Sequence, residues 1–327
     1  MASSFPKYRS ACPVPSPTRN TGRKAPASVT VASSARQRRS QNVEGDFYVD
    51  KRCIDCDTCR WMAPETFTRI DRQSAVSRQP SHGEERIKAL QALLSCPTGS
   101  IHTEKPAKEI LEVQMTFPLP VDEQKLPGIY LCGFHSEKSY GAAPYLIVHP
   151  DGNILVDSPR YTKKLADKIK ILGGVRYMFL THKDDVADHE EWSKHLNCKR
   201  ILHSRDVEIT TADVEMQLYG DGPWNIGTDF DLIHTPGHTE GSVCLYYKPL
   251  GVLFTGDHFA KSEESEFDIF AIYNKDSVSK QLDSVEKFLE LDFKWILPGH
   301  GRRVEFRDMQ EKNSAIEEFL LREAARA

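Results

Sequence analysis

The sequence predicts an α/β protein of two domains, a small α+β module followed by a larger four-layer αββα sandwich. Its 327 residues are enough for one small and one large hydrophobic core. Three cysteines cluster within residues 53–59 near the start, which indicates a small unit built around a metal. From residue 128 onward, strand-like and helix-like runs alternate in two β-rich halves, the pattern of two packed sheets with helices outside.

The first 43 residues differ in composition from the rest of the chain. They contain eight Lys or Arg, eight Ser and no acidic residue. A basic, serine-rich segment without a long apolar run is typical of an organelle transit peptide, and a basic disordered arm is the alternative. The opening residues 1–4 resemble plastid transit peptides, so we expect the plastid stroma. The mitochondrion is the alternative location, because of the arginine cluster Arg36, Arg38 and Arg39.

The charge distribution bears on the partners. The net charge is −4, and the residues after position 43 carry −12 because the first 43 hold eight basic and no acidic residues. An acidic body argues against nucleic acid as a partner. No run approaches the roughly 18 to 20 apolar residues of a membrane helix, so no membrane span is expected. We expect a small-molecule substrate and, as a further partner, a redox protein.

The first module is predicted for residues 44–105. Residues 46–50 form a strand-like run before the cysteines, and four apolar residues between positions 87 and 94 recur at helical spacing. This helix leads to Cys96, after which residues 101–103 can form a second strand. Residues 106–127 are rich in proline among charged residues, which predicts a linker with a strand near residues 111–117.

The second domain is predicted for residues 128–327. Strand-like residues 145–149 and 153–156 flank Pro150-Asp151-Gly152, a hairpin signal. A helix with apolar residues at 165, 169 and 172 ends at Gly173-Gly174, and a buried strand follows at 175–180. Further strands are predicted at 242–247, 252–255 and 293–297, with a helix between the last two and another at the end of the chain.

Four cysteines have the spacing of a metal cluster. Cys53, Cys56 and Cys59 are each separated by two residues, and Cys96 follows after 36 intervening residues, directly before Pro97. Four soft thiolates in this arrangement suit an iron–sulfur cluster, and the segment resembles single-cluster 4Fe-4S ferredoxins. A structural zinc site is the alternative, although such sites usually have two separate Cys-x2-Cys pairs.

Four later loops, each after a predicted strand, contain His and Asp residues. They are residues 181–189 (THKDDVADH), 236–242 (PGHTEGS), 254–257 (FTGD) and 297–301 (LPGHG). Their order resembles the metal-binding loops of the metallo-β-lactamase superfamily, over about residues 128–327. Asp157, at the end of an earlier strand, resembles that family's structural aspartate. The resemblance implies the αββα metallo-β-lactamase sandwich.

The resemblance also implies a ligand set for two divalent metal ions, about 3.5 to 4 Å apart. His182, His238 and Asp257 would hold one ion, and Asp188, His189 and His300 would hold the other together with the bridging Asp257. Asp188 and Asp257 are the expected catalytic residues. The ligand types suit zinc first, with iron or manganese as alternatives.

The first of these loops departs from the family's H-x-H-x-D-H pattern. Asp184 stands where the second histidine belongs, and the closing Asp-His pair arrives two residues late. We interpret the segment as an extended, carboxylate-substituted loop in which Asp184 is an additional ligand. A domain that keeps the fold but has lost one or both metals is the alternative.

The expected function is metal-dependent hydrolysis of an ester, thioester or lactone. Two alternatives remain open. Flavodiiron proteins use the same fold with a carboxylate at the second histidine position, so a diiron oxidoreductase that receives electrons from the cluster is one. A redox-sensing protein with a degenerate metal site is the other.

Overall fold

The computed structural model describes residues 37–81 and 83–326. The predicted transit peptide lies outside the described residues as far as position 36. Residues 37–43, which the sequence assigned to the same disordered segment, are packed on the first module. Arg38 forms a β-bridge with Asp50, and the buried Arg39 donates hydrogen bonds to the carbonyls of Ser74 and Ile70. Residues 37–43 are therefore ordered against the first module, unlike the disordered segment that was expected there.

The first module is a small α+β unit. Its elements are β1 (Phe47–Val49), α1 (Thr58–Met62), β2 (Phe67–Ile70), β3 (Gln73–Val76), α2 (Glu84–Ser95), β4 (Ile101–Thr103) and α3 (Ile110–Gln114). Strand β1 pairs antiparallel with β4, and β2 forms a hairpin with β3. Phe47, Phe67 and Leu90 are buried in the core between them. This confirms the predicted module.

The segment predicted as a linker is largely structured. Residues 110–114 form the helix α3, where a strand was expected, because Val113 packs into the core of the first module. Strand β5 (Leu119–Pro120) then pairs with the first strand of the second domain. It is an edge strand, the position in a sheet that tolerates proline. The second domain therefore begins at about β5, before residue 128.

The second domain contains a seven-stranded and a six-stranded sheet. The first sheet has the order β11-β10-β9-β8-β7-β6-β5 and the second the order β12-β13-β14-β15-β18-β19. The strands of the first sheet after β5 are β6 (Ile129–Leu131), β7 (Tyr145–Ile147), β8 (Ile154–Val156), β9 (Tyr177–Phe179), β10 (Lys199–His203) and β11 (Met216–Leu218). Those of the second are β12 (Trp224–Ile226), β13 (Phe230–His234), β14 (Val243–Tyr247), β15 (Val252–Gly256), β18 (Trp295–Pro298) and β19 (Val304–Glu305). A separate hairpin joins β16 (Ala260–Lys261) to β17 (Phe267–Asp268).

Helices cover the outer face of each sheet. The helices α4 (Lys163–Ile171) and α5 (His189–Leu196) pack on the first sheet, and α6 (Val278–Glu286) and α7 (Met309–Ala324) pack on the second. Residues such as Tyr145 and Phe254 fill the core between the sheets. This confirms the predicted αββα sandwich. Within the residues described, no helix has the length and apolar character needed to cross a membrane.

The strand directions bring several loops together at one edge of the sandwich. Strand β8 runs parallel to β9, and β15 runs parallel to β18, so the loops that follow these strands emerge on the same side. The two sheets also meet there. The Val243 amide donates a hydrogen bond to the carbonyl of Thr181, and the Ala143 amide donates one to the carbonyl of Gly299. Asp157, His182, Asp257 and His300 all follow these strands, and His238 lies in the β13–β14 loop.

Candidate metal centres

Four side chains form a first group at this edge. His182 Nε2 lies 3.9 Å from Asp184 Oδ2 and 3.8 Å from Asp257 Oδ2. His238 Nε2 lies 3.8 Å from Asp184 Oδ2 and 3.9 Å from Asp257 Oδ2. His182, His238 and Asp257 each have a ligand atom within 4.8 Å of the other two, an arrangement that can hold a single cation, and Asp184 Oδ2 lies beside both imidazoles.

A second group adjoins the first and shares Asp257. It consists of Asp185, Asp257 and His300, whose ligand atoms lie within 4.8 Å of one another. His300 Nδ1 is 2.7 Å from Asp257 Oδ1, the oxygen that does not face the first group. Asp257 therefore presents one oxygen to each group, as a bridging ligand would.

Unpartnered buried atoms show that both groups fit a cation. Among the described residues, His182 Nε2, His238 Nε2 and both carboxylate oxygens of Asp185 are buried and have no hydrogen-bond partner. A buried polar atom without a partner costs about 1–3 kcal/mol, and the cost is greater for a charged carboxylate. One cation in each group would give His182, His238 and Asp185 a partner.

The pKa values of Asp185 and His238 agree with this interpretation. Burial, followed by repulsion from Asp257 and Asp157, raises the pKa of Asp185 well above its usual range. Burial, followed by the neighbouring His182, lowers the pKa of His238 to about 4. A neutral imidazole is the form that ligates metals, so His238 is ready to bind, whereas Asp185 needs a nearby cation to be stable as a carboxylate.

Hydrogen bonds behind the first group orient His182. The amide and the hydroxyl of Thr181 donate to Asp157 Oδ1 over 2.8 and 3.0 Å. Because its proton is used in this way, the Thr181 oxygen accepts from His182 Nδ1, which is 3.0 Å away. This assigns the ring proton to Nδ1 and leaves the Nε2 lone pair facing the first group. Asp157 thus acts as the structural residue that the sequence predicted.

Two glycines in the loops are required by close contacts. A Cβ atom at Gly299 would lie 2.9 Å from Asp257 Oδ1 and 3.0 Å from Asp185 Oδ2. Gly237, which precedes His238, has a φ of +140°, and a Cβ there would lie 2.3 Å from the Gln281 amide nitrogen. Both Pro-Gly-His motifs therefore use glycine to bring a histidine loop against its neighbour.

The structure places Asp188 and His189, which were predicted as ligands with Asp188 also as a catalytic residue, outside both groups. Asp188 Oδ2 accepts from the Tyr161 amide over 2.8 Å, and Oδ1 forms an ion pair with Lys138. His189 begins α5, and its Nδ1 lies 3.2 Å from Arg200 Nη1. The reason is a 3-10 turn at Lys183–Asp185, after which the chain leaves the sheet edge.

Asp185 is the residue that the sequence reasoning missed. The family pattern expects one acidic residue four positions after the first histidine, whereas this chain places two adjacent carboxylates two and three positions after His182. The turn directs Asp184 to the first group and Asp185 to the second. The adjacent acidic pair in the sequence was the available signal.

The four cysteines of the first module form a separate candidate cluster site. All are free thiols. The amide of Ser74 donates to Cys53 Sγ and the amide of Ser100 donates to Cys96 Sγ, both over 3.3 Å. Burial, and next the charge of Cys96, raise the pKa of Cys56 to about 12. Buried thiols that interact with one another and receive amide hydrogen bonds fit an iron–sulfur cluster, whose iron would stabilise the thiolate form.

Both candidate sites border one cleft. A cavity of about 710 Å³ is lined by Cys56 and Asp57 of the first module and by His238, Asp257 and His300 of the sandwich. At the contact between the domains, Thr58 Oγ1 is 3.0 Å from His135 Nδ1. A ligand that reaches the His and Asp groups therefore also passes the cysteine loop.

Comparisons with known proteins agree with this two-part architecture. Residues 49–103 match the 4Fe-4S single cluster domain of Ferredoxin I, and residues 141–300 match the metallo-beta-lactamase superfamily. The chain is similar to the "Probable metallo-hydrolase YqgX" of Bacillus subtilis (strain 168), with 29% identity over 44% of this chain and 65% of that protein. It is also similar to the "Uncharacterized protein YmaE" of the same organism, with 27% identity over 39% of this chain and 49% of that protein. The matched region thus spans less than two thirds of either relative.

The chain is also similar to a solved structure. The metallo-beta-lactamase family protein TTHA1429 from Thermus thermophilus is 18% identical, and the match covers 62% of this chain and 81% of that one with a TM-score of 0.47.

Proposed function

The chain is a metallo-β-lactamase superfamily protein with an N-terminal 4Fe-4S ferredoxin domain, and on that premise we propose that it is a metal-dependent hydrolase of an ester, thioester or lactone. The observation that carries the proposal is the pair of adjoining donor groups that share Asp257. The similarity to YqgX, which is named a metallo-hydrolase, supports it.

The protein residues have distinct parts in this proposal. His182, Asp184 and His238 would hold the first metal, Asp185 and His300 the second, and Asp257 both. Divalent cations bound there would lower the pKa of a water molecule and polarise the carbonyl oxygen of the substrate. The Asp157–Thr181 pair keeps His182 in the tautomer that can ligate.

Turnover of a panel of esters, thioesters and lactones tests the proposal. Asp257→Asn should lower kcat/KM by at least about 100-fold and lower the metal content, because it weakens both groups at once. Asp167→Asn is the matched control, since Asp167 pairs with Lys163 on the surface of α4, and should have no effect. Full activity in metal-free protein, or in Asp257→Asn, would refute a metal-dependent hydrolase.

Oxidoreductase chemistry is the second candidate, and two observations favour it. Each donor group contains two carboxylates, which suit iron or manganese better than zinc. Cys56 lines the same cleft as His238 and His300, so a cluster able to transfer single electrons would lie beside these groups.

The two candidates differ in a measurable way. In anaerobically purified protein that has been reduced with dithionite and freed of the excess reductant, an oxidoreductase would consume oxygen at a rate that depends on iron outside the cluster and falls in Asp257→Asn. A hydrolase would turn over its substrate at the same rate whether the cluster is oxidised or reduced.

A further inference from the structure

Exposed apolar side chains surround the mouth of the cleft. The four residues, here called the apolar rim, are Ile54, Tyr140, Ile272 and Tyr273, with exposed fractions of 40%, 63%, 85% and 65%. All four line the same cavity as His238, Asp257 and His300. Single exposed apolar residues are ordinary, but a group at the entrance of a cavity marks a place where an apolar ligand binds.

The backbone ties this rim to the metal groups. The carbonyl oxygen of Tyr140 is 3.3 Å from His300 Nε2. Ile272 and Tyr273 belong to the turn Ala271–Tyr273, and Lys275, two residues further on, donates its amide to the carbonyl of His238 over 2.8 Å. The backbone near the rim is therefore hydrogen-bonded to a histidine of each donor group.

Apart from the proposed metal ions, the charged side chains of the cleft do not favour an anionic group on the ligand. The lining residues include seven Asp or Glu and three Lys or Arg. Each of these three cations is already paired with a carboxylate: Arg60 and Arg69 with Asp55, and Lys275 with Asp184. An incoming carboxylate or phosphate would have to displace an existing partner, whereas an uncharged group would not.

One rim residue comes from the ferredoxin-like module. Ile54 lies between the cluster cysteines Cys53 and Cys56, and the next residue, Asp55, has a φ of +62° and is held by Arg60 and Arg69. These contacts fix the loop that carries Ile54. The module therefore contributes an ordered part of the wall of the cleft.

We propose that the apolar rim is a subsite for an uncharged acyl chain of the substrate, so that the ferredoxin-like module takes part directly in substrate binding. The hydrolysis of that acyl compound rests on the proposed function above, whereas the binding of the chain does not.

Chain-length dependence of hydrolysis is the first test. With metal-loaded protein we expect kcat/KM to be higher for 4-nitrophenyl octanoate than for 4-nitrophenyl acetate. The octanoate analogue that ends in a carboxylate should have a lower kcat/KM than the octanoate itself. Ile54→Ser and Ile272→Ser should each lower the ratio of the octanoate value to the acetate value roughly tenfold, mainly through a higher KM for the octanoate. Ile209→Ser is the matched control, because Ile209 is also exposed but does not line the cavity.

Equilibrium binding is the second test and does not depend on turnover. Calorimetry should show that octanohydroxamic acid binds more tightly than acetohydroxamic acid, and that Ile272→Ser removes most of this difference while the metal content and the cluster absorbance stay constant. Binding that depends on chain length, without hydrolysis, would support the subsite and refute the proposed hydrolase function. Equal binding of the two hydroxamates, or an unchanged preference in both Ile54→Ser and Ile272→Ser, would overturn the subsite.

Discussion

Among single residues, Asp185 gives the strongest support for a cation in the second donor group. Its side chain is fully buried and its two oxygens lack a partner among the described residues. Neutralising it by protonation would still leave unpaired atoms in the interior. A cation shared with Asp257 and His300 would remove this cost and would account for a carboxylate at such a position.

We predict different results for Asp185→Asn and Asp188→Asn. Asp185→Asn should lower metal binding in the second group by at least about tenfold, because it removes a charge that faces the cation. Asp188→Asn should leave the metal content unchanged, because Asp188 contacts Lys138 and the Tyr161 amide. Metal titration of the two variants checks this, and a larger loss in Asp188→Asn would restore the ligand set predicted from the family pattern.

This pair of residues also shows what the sequence could predict about the site. His238, Asp257 and His300 lie in short motifs whose glycines and strand ends fix their position, and the structure places each of them in a donor group. Asp185 was not predictable by counting, because the first loop is longer than the pattern and only the folded turn decides which acidic residue faces inward.

His135 gives a prediction about pH. Burial lowers the pKa of His135 from 6.5 to about 3, so the folded protein keeps this ring neutral while the unfolded chain protonates it below about pH 6.5. The unfolded state then binds more protons, and stability falls as the pH decreases. Between about pH 7 and about pH 5, the wild type should lose more thermal stability than His135→Asn. An equal loss in both proteins would contradict this, since the other buried histidines remain in each.

Among the elements, helix α6 supports the loops around the first donor group. The buried Gln281 of α6 donates to the carbonyls of His258 and Ile269 and accepts from Asn274. The backbone of Gln281 also packs against Gly237 in the loop of His238. One side chain of the outer layer thus links segments that surround the site.

We predict that Gln281→Leu, which has a similar volume, lowers the free energy of unfolding by about 1–3 kcal/mol, because buried carbonyls lose their donor. Gln310→Leu, at an exposed position of α7, is the control and should have little effect. Thermal unfolding midpoints measure the difference. Equal midpoints for the two variants would show that the Gln281 contacts do not stabilise the fold.

The elements differ in how far their sequences predict them. The hairpin of β7 and β8 was predicted because a turn signal separates two apolar runs, and the structure pairs Tyr145 with Val156 as expected. Strand β5 was not, because Leu119 and Pro120 have little strand propensity and pair only because β6 offers a free edge. Sequence pattern thus predicts elements with their own signal, and tertiary pairing decides the rest.

At the scale of the whole molecule, polar contacts join the two domains. Arg60 of the first module is buried and pairs with Glu263 of the sandwich, and Arg302 of the sandwich pairs with Asp57. Gly141 of the sandwich lies against Cys56. The cysteine site and the metal groups are therefore parts of one ordered cleft.

We predict that Gly141→Ala destabilises the iron–sulfur cluster. Gly141 has a φ of +95°, and a Cβ there would lie 2.7 Å from Cys56 Cβ and 3.1 Å from Cys56 Sγ. Gly174→Ala is the matched control, because Gly174 also has a positive φ, +73°, but a Cβ there would have no neighbour within 4 Å. The rate at which a chelator bleaches the cluster absorbance should rise in Gly141→Ala only. The same rate in both variants would mean that the sandwich does not support the cysteine loop.

The central claim is that His and Asp residues at the sheet edge hold metal ions beside the cluster. Anomalous X-ray diffraction from crystals of metal-loaded, anaerobically purified protein tests it most directly. We expect anomalous density at two places: in the first group, among His182, Asp184, His238 and Asp257, and in the second group, among Asp185, Asp257 and His300. Density beside Asp188 and His189, or none outside the cysteine site, would contradict it.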